Sequence, residues 1–242
     1  MRAGERARGG WTVGIATDVD TRRAFLATGL VVAYGAVAPR VLPPTSVVPN
    51  LTVAATGVAA ARWWGRSWAE LGLDPVDARR GLRFGAAAVP VVAGAVATVA
   101  AVPALRRLLR DERVLGLSDR EAAFHALVRI PLATALAEEV LFRSVLLGQT
   151  GTGGRRVRAV VWTSMAFGLW HVLPALHSHR SNRQGGAATT VTGTVVATAG
   201  VGAALAVLRL RSRSVVAPVI AHAAVNGLTF VAARLVGRRA RR

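Results

Sequence analysis

Long apolar runs separated by short arginine-rich stretches dominate the chain. Seven of them, at residues 24–42, 45–61, 82–104, 121–148, 157–176, 187–208 and 214–236, approach or exceed the ~20 residues with which an α-helix crosses a bilayer core. The pattern predicts an all-α fold: a polytopic integral membrane helical bundle of about seven transmembrane helices, with six to eight compatible with it. The second run is the weakest, being short and interrupted by Pro49. The expected organisation is a polar N-terminal tail at 1–23, one transmembrane helical domain at 24–236, and a basic C-terminal tail at 237–242. The Gly-, Ala- and Val-rich runs at 82–104 and 187–208 suit close helix packing, because small side chains let backbones approach. Between the second and third runs, Trp63, Trp64 and Trp68 mark a loop at the membrane interface, where indole rings prefer to lie.

Composition supports a membrane domain. Hydrophobic residues make up 52% of 242 positions and mean hydropathy is positive at +0.42, as in an integral membrane protein. The formal charge of +19 would suit nucleic acid, but the arginines lie between apolar runs, as in loops at membrane edges, and no element carries a basic stripe with aromatics. No nucleic-acid partner is expected. All basic residues other than His are Arg, and Ala and Val abound, which reads as the coding bias of a GC-rich bacterial genome. A small arginine excess places the N-terminus in the cytoplasm by the positive-inside rule. The expected location is therefore the bacterial inner membrane, multi-pass, with the first run retained as an anchor. Cysteine is absent, which excludes disulfides, thiolate metal sites and a Cys nucleophile.

Against this background two adjacent glutamates, Glu138 and Glu139, stand out. From Ile130 to Leu147 the only other charge is Arg143. A carboxylate at the bilayer centre costs ~2.5–3.5 kcal/mol on insertion scales, so an intramembrane acid is a functional candidate. Glu139 and Arg143 are four residues apart and share a helix face, where they form a charge-assisted pair. Glu138 is rotated by about 100° from Glu139 and points elsewhere. Two more runs carry polar groups: Phe167 and His171 in the fifth, His222 and Asn226 in the seventh. At ~1.5 Å per residue, Glu138, His171, His222 and Asn226 fall ~13–20 Å from the arginine-flanked or polar ends of their runs, in one layer open to one side. The remaining histidines are expected at the interface (His125) and in a 177–186 loop (His177, His179). Pro174 and Pro218 are expected to free the carbonyls of Trp170 and Ser214 beside the polar layer.

The three patterns together, Glu138-Glu139-x-x-x-Arg143, Phe167-x-x-x-His171 and His222-x-x-x-Asn226, resemble the CAAX-protease and bacteriocin-processing (CPBP) family of intramembrane endopeptidases, which includes type II CAAX prenyl endopeptidases. The resemblance covers about 120–236, with a weaker echo in SWAELGLDP. Ser144 stands where the family often has Gly. Peptide hydrolysis needs an activated water and oxyanion stabilisation. A carboxylate desolvated in an apolar cavity is a better general base than one in water, and this role is assigned to Glu138. His171 would orient the water or shuttle its proton. His222 and Asn226 would donate to the oxyanion, each worth ~2.7–4 kcal/mol in comparable sites. Glu139 and Arg143 would orient the helix, with Phe167 beside them. The resemblance implies the same division of labour.

A zinc alternative would recruit Glu138, His171 and His222 as a His₂Glu set with an open position. The absence of an HxxxH pair and the poor ligand quality of Asn226 favour catalysis without a cofactor. The expected partners are the lipid bilayer and a peptide or protein substrate, itself membrane-associated. A non-catalytic immunity or scaffold protein of the same fold is the rival reading, weakened by the cost of holding four polar groups in lipid. A transporter is a third, without an inverted repeat to support it.

Overall fold

The computed structural model describes residues 18–43, 46–151, 155–182 and 186–240. Residues 1–17 of the expected polar tail and Arg241–Arg242 of the basic tail lie outside these. Among the described residues there is no strand. The helices are α1 (Asp18–Val41), α2 (Val48–Trp63), the short α3 (Trp68–Leu71), α4 (Ala78–Ala101), the short α5 (Glu112–Leu115), α6 (119–150), α7 (Arg156–Trp170), α8 (Val172–Asn182), α9 (Ala187–Ser212) and α10 (Val216–Ala240).

Five stretches are long and apolar enough to cross a membrane: Thr21–Val41, Pro75–Ala101, Arg156–Asn182, Ala187–Ser212 and Val216–Arg239. The other two expected spans take different forms. α2 has only 16 residues, fewer than the ~20 a crossing needs. It starts at Val48, with Pro49 in the first turn, where a missing N–H costs nothing. α6 is long, but its winding alternates: α at Asp119–Phe124, π at His125–Leu136, α at Ala137–Glu139, π at Val140–Leu146 and α at Leu147–Thr150. π winding is rare, and its usual single-turn form is frequent at functional sites; here it runs over 12 and 7 residues.

Other boundaries shift as well. The run at 157–176 is two helices that part at His171 and continue to Asn182, so His177 and His179 lie on helix α8 and not in a loop. Pro174 and Pro218 are third residues of α8 and α10. They begin helices, where N–H groups lack intrahelical partners, and do not kink them. The carbonyl of Ser214 is taken by the Ser212 hydroxyl at 3.0 Å. α1 begins before residue 24 and α10 runs past 236, so part of each expected tail is helical.

α6 is the enclosed element: every residue from Glu139 to Gln149 is buried. Ala27 and Val31 of α1, Ala54 of α2, and Ala166 and Phe167 of α7 pack around Leu141, Phe142 and Leu146. α4 lies along α10 at very short range. A methyl group at Gly81 or Gly85 would stand 2.6 Å from Ser214 Oγ or 2.9 Å from Ile220 Cβ, so this pair of small residues four apart lets the backbones approach. The outward faces keep large apolar side chains exposed, such as Leu30, Val91 and Leu235, as a lipid-facing surface requires.

The loop after α2 is fixed by local chemistry. Ser67 caps α3 in a reciprocal box with Glu70, and Gly72 ends it at φ 67°. Arg209 of α9 then donates to the carbonyls of Glu70 (2.8 Å) and Ala69 (3.3 Å). Arg66 donates to Gln149 Oε1 at the end of α6 (3.0 Å). This clasp is the SWAELGLDP segment.

Candidate active site

The centre of the site is Glu139, which is fully buried. Its Oε1 lies 2.7 Å from His222 Nδ1. Its Oε2 lies 3.1 Å from Arg143 Nε, close without the alignment of a hydrogen bond. The i,i+4 spacing on α6 brings Glu139 and Arg143 together as expected. Arg143 is also held from two other helices: it donates to Gly202 O of α9 (3.2 Å), and its guanidinium lies 4.3 Å from the Phe167 ring centroid. The fit at Gly202 is close: a Cβ would sit 3.1 Å from the Phe167 ring and 3.4 Å from Arg143, so Phe167 would have to give by a few tenths of an ångström.

His222 continues the chain of contacts. An ionised carboxylate only accepts, so Nδ1–H is the donor to Glu139. Nε2 then accepts from Asn226 Nδ2, 3.1 Å away and four residues on along α10. Glu139 thus has a second partner besides Arg143. It anchors the His222–Asn226 pair, which the spacing alone does not disclose.

His171 sits at the α7–α8 break. Its backbone N–H goes to Gly168 O, three residues back, so the Phe167 carbonyl loses its usual i+4 donor. His171 Nδ1 takes that carbonyl at 2.8 Å. A carbonyl accepts, so Nδ1 carries the proton and Nε2 is the acceptor nitrogen. Phe167 packs edge-on against both histidines, with centroids 4.6 Å from His171 and 5.8 Å from His222, and so joins the two halves of the site.

Glu138 differs from its neighbour. It is half-buried, and its Oε2 is inaccessible yet has no hydrogen-bond partner among the described residues. It lies within electrostatic reach of His222, Arg143 and Arg129. Among the described residues no hydrogen bond joins it to His171, His222 or Asn226. Arg129 is a neighbour that sequence reasoning misses. Nine residues of α winding, at about 100° each, would put it on the side of the helix opposite Glu138. The wider π turns, bonded five residues back, make nine residues close to two turns.

The donors do not fit a zinc ion as arranged. Among the described residues no three His, Cys, Asp or Glu side chains gather as ligands. Both ring nitrogens of His222 already face protein partners.

The fold and site define a class: a multi-pass membrane protein with a buried polar centre assembled from α6, α7 and α10. Residues 120–228 match the family model described as type II CAAX prenyl endopeptidase Rce1-like. The match spans all seven motif residues and agrees with the CPBP resemblance read from them. It supports an intramembrane CAAX-type protease in general, acting on a peptide or protein. No curated protein and no solved structure matches the chain.

Proposed function

We propose that the protein is an intramembrane endopeptidase in which Glu138 draws a proton from the attacking water. The observation that carries this reading is the buried Glu138 Oε2, which has neither a hydrogen-bond nor an ion-pair partner among the described residues. Beside it, Glu139 has its Oε1 bonded to His222 and its Oε2 3.1 Å from Arg143 Nε. An unpaired carboxylate oxygen in a buried polar site is a general base awaiting a donor. His171, with Nε2 as its acceptor nitrogen, orients the same water. Glu139 and Arg143 hold His222 in its Nδ1–H tautomer. His222 and Asn226 stabilise the oxyanion, with the second amide hydrogen of Asn226 as the first donor and His222 following once Nε2 gains a proton. Catalysis is metal-independent. Cleavage of a fluorogenic peptide panel by detergent-purified protein tests the reading. Wild type is expected to cleave, Glu138→Ala is expected not to, and a chelator is expected to have no effect. Activity that survives Glu138→Ala overturns the role of Glu138. Loss on chelation that zinc restores moves the site to a metalloprotease. Silence across the panel with intact binding favours the scaffold reading.

A further inference from the structure

The wide winding of α6 ends beside Glu138. The N–H of Ala137 reaches Leu132 O, five residues back, and Thr134 O, and α winding holds over Ala137–Glu139. The carbonyl that an α-helix would give to Ala137 is that of Ala133. It is taken from outside: Asn50 of α2 donates Nδ2 to Ala133 O at 3.0 Å. Asn50 is itself held, because the Tyr34 hydroxyl of α1 donates to its Oδ1 at 2.5 Å. The orientation of the amide follows from chemistry. Reversing it would set its oxygen against the Ala133 carbonyl, two acceptors face to face. Two helices outside the family match at 120–228 thus meet at the seam of the helix that bears both glutamates.

Register at that seam decides which glutamate faces which partner. Glu138 and Glu139 differ by about 100° around the helix, and one residue more or fewer in the wide stretch rotates everything after it by the same angle. Such a slip would carry Glu139 towards the position of Glu138 and away from Arg143 and His222. We propose that the Tyr34–Asn50 pair is a positioning device for α6. By giving the Ala133 carbonyl a donor from outside the helix, it fixes the register that leaves Glu138 Oε2 without a partner among the described residues and sets Glu139 on Arg143 and His222. The proposal rests on the reading of Glu138 as the base.

The test uses the full chain in lipid nanodiscs with Asn50→Leu, Tyr34→Phe and Glu138→Gln. Asn50→Leu is expected to lower kcat about ten- to a hundredfold, as a small misplacement of a catalytic group does, with KM unchanged. In the Glu138→Gln background the same change is expected to cost nothing further, because the two act as a unit. Tyr34→Phe should lower kcat in the same direction by a smaller factor. A loss in KM alone, or an equal loss in both backgrounds, would make the pair mere glue between helices and overturn the proposal. Amide hydrogen exchange over 130–142 gives a readout independent of peptide cleavage. Asn50→Leu should raise exchange there about tenfold or more, and unchanged protection overturns the register role. If wild type cleaves no peptide, the hydrolase reading fails by itself while exchange still decides the positioning.

Discussion

Two polar clusters are buried against α6, and they solve the problem of buried charge differently. At the end of the helix, Arg66 and Arg209 donate to neutral acceptors, Gln149 Oε1 and the carbonyls of Ala69 and Glu70. A carboxylate there, Glu70, meets Arg66 at 3.4 Å on a side chain that stays 40% exposed. At its middle, Arg143 faces a buried carboxylate, and a second carboxylate stands beside the first with no partner for Oε2 among the described residues. The clasp follows Trp63, which is 87% exposed. The central cluster is enclosed. A cation on carbonyls docks a loop. An enclosed pair of acids, one held by His222 and Arg143 and the other not, is what the proposed proton transfer uses.

The sharpest way to break this contrast is Glu138→Gln, which keeps the shape and removes the proposed base. It is expected to lower kcat/KM about a hundredfold or more, the usual contribution of a general base, with the melting temperature unchanged. Peptide cleavage and a thermal unfolding scan on the same preparation check both halves. A large drop in stability would mean that Glu138 belongs with Glu139 as a structural group.

Glu139→Leu should do the opposite. It strands the guanidinium of Arg143, and breaking a buried pair from one side costs about 3–5 kcal/mol. It also frees His222 Nδ1. The variant is expected to unfold well below wild type, and Glu139→Leu combined with Arg143→Met should recover stability without activity. Stability equal to wild type in the single variant would show that the pair is not the anchor of the site.

Most of the site residues were legible in the sequence because they lie four apart on single helices. Glu139 with Arg143, Phe167 with His171, and His222 with Asn226 all keep that spacing. What joins the pairs was not legible. The Glu139–His222 bond spans 83 residues and the Arg143–Gly202 bond 59, and neither leaves a local signal. The π winding of α6 is also hidden, because a change of backbone register has no side-chain signature in the sequence. Hence nothing in the sequence signals that Arg129 stands within electrostatic reach of Glu138 or that Asn50 donates to α6. The count of seven spans is not confirmed, for a related reason: five stretches among the described residues are long and apolar enough. Apolar composition detects a helix that can sit in lipid, but not that α2 is short or that α6 is wrapped by its neighbours.

The clasp offers a smaller effect. Arg209→Met removes the donor to two carbonyls at the end of α3 and is expected to cost about 1–3 kcal/mol, the range for stranding buried polar groups. Activity per folded molecule should be retained, since Arg209 has no contact with the catalytic cluster among the described residues. Residual activity measured against the folded fraction from a denaturant series checks this. Loss of turnover at full folding would tie the SWAELGLDP loop to the chemistry and erase the distinction between the two clusters.

The smallest effect is a pH dependence confined to the clasp. Partial burial pushes the Glu70 carboxyl upward, but the Ser67 N–H and hydroxyl and the Arg66 guanidinium outweigh it and hold the group below its ordinary value. A carboxyl held lower in the folded than in the unfolded protein contributes stability that is present above the unfolded value, about 4.3 for Glu. That stability is lost as the pH falls through the folded value. Acidification should therefore loosen the loop. Its side chain is 40% exposed, so solvent screening keeps the contribution small. Melting temperatures of wild type and Glu70→Gln, taken from neutral pH downward, should differ most at neutrality and converge in acid. A gap that widens on acidification would reverse the sign and mean that the neutral carboxyl, not the carboxylate, is the form the loop holds.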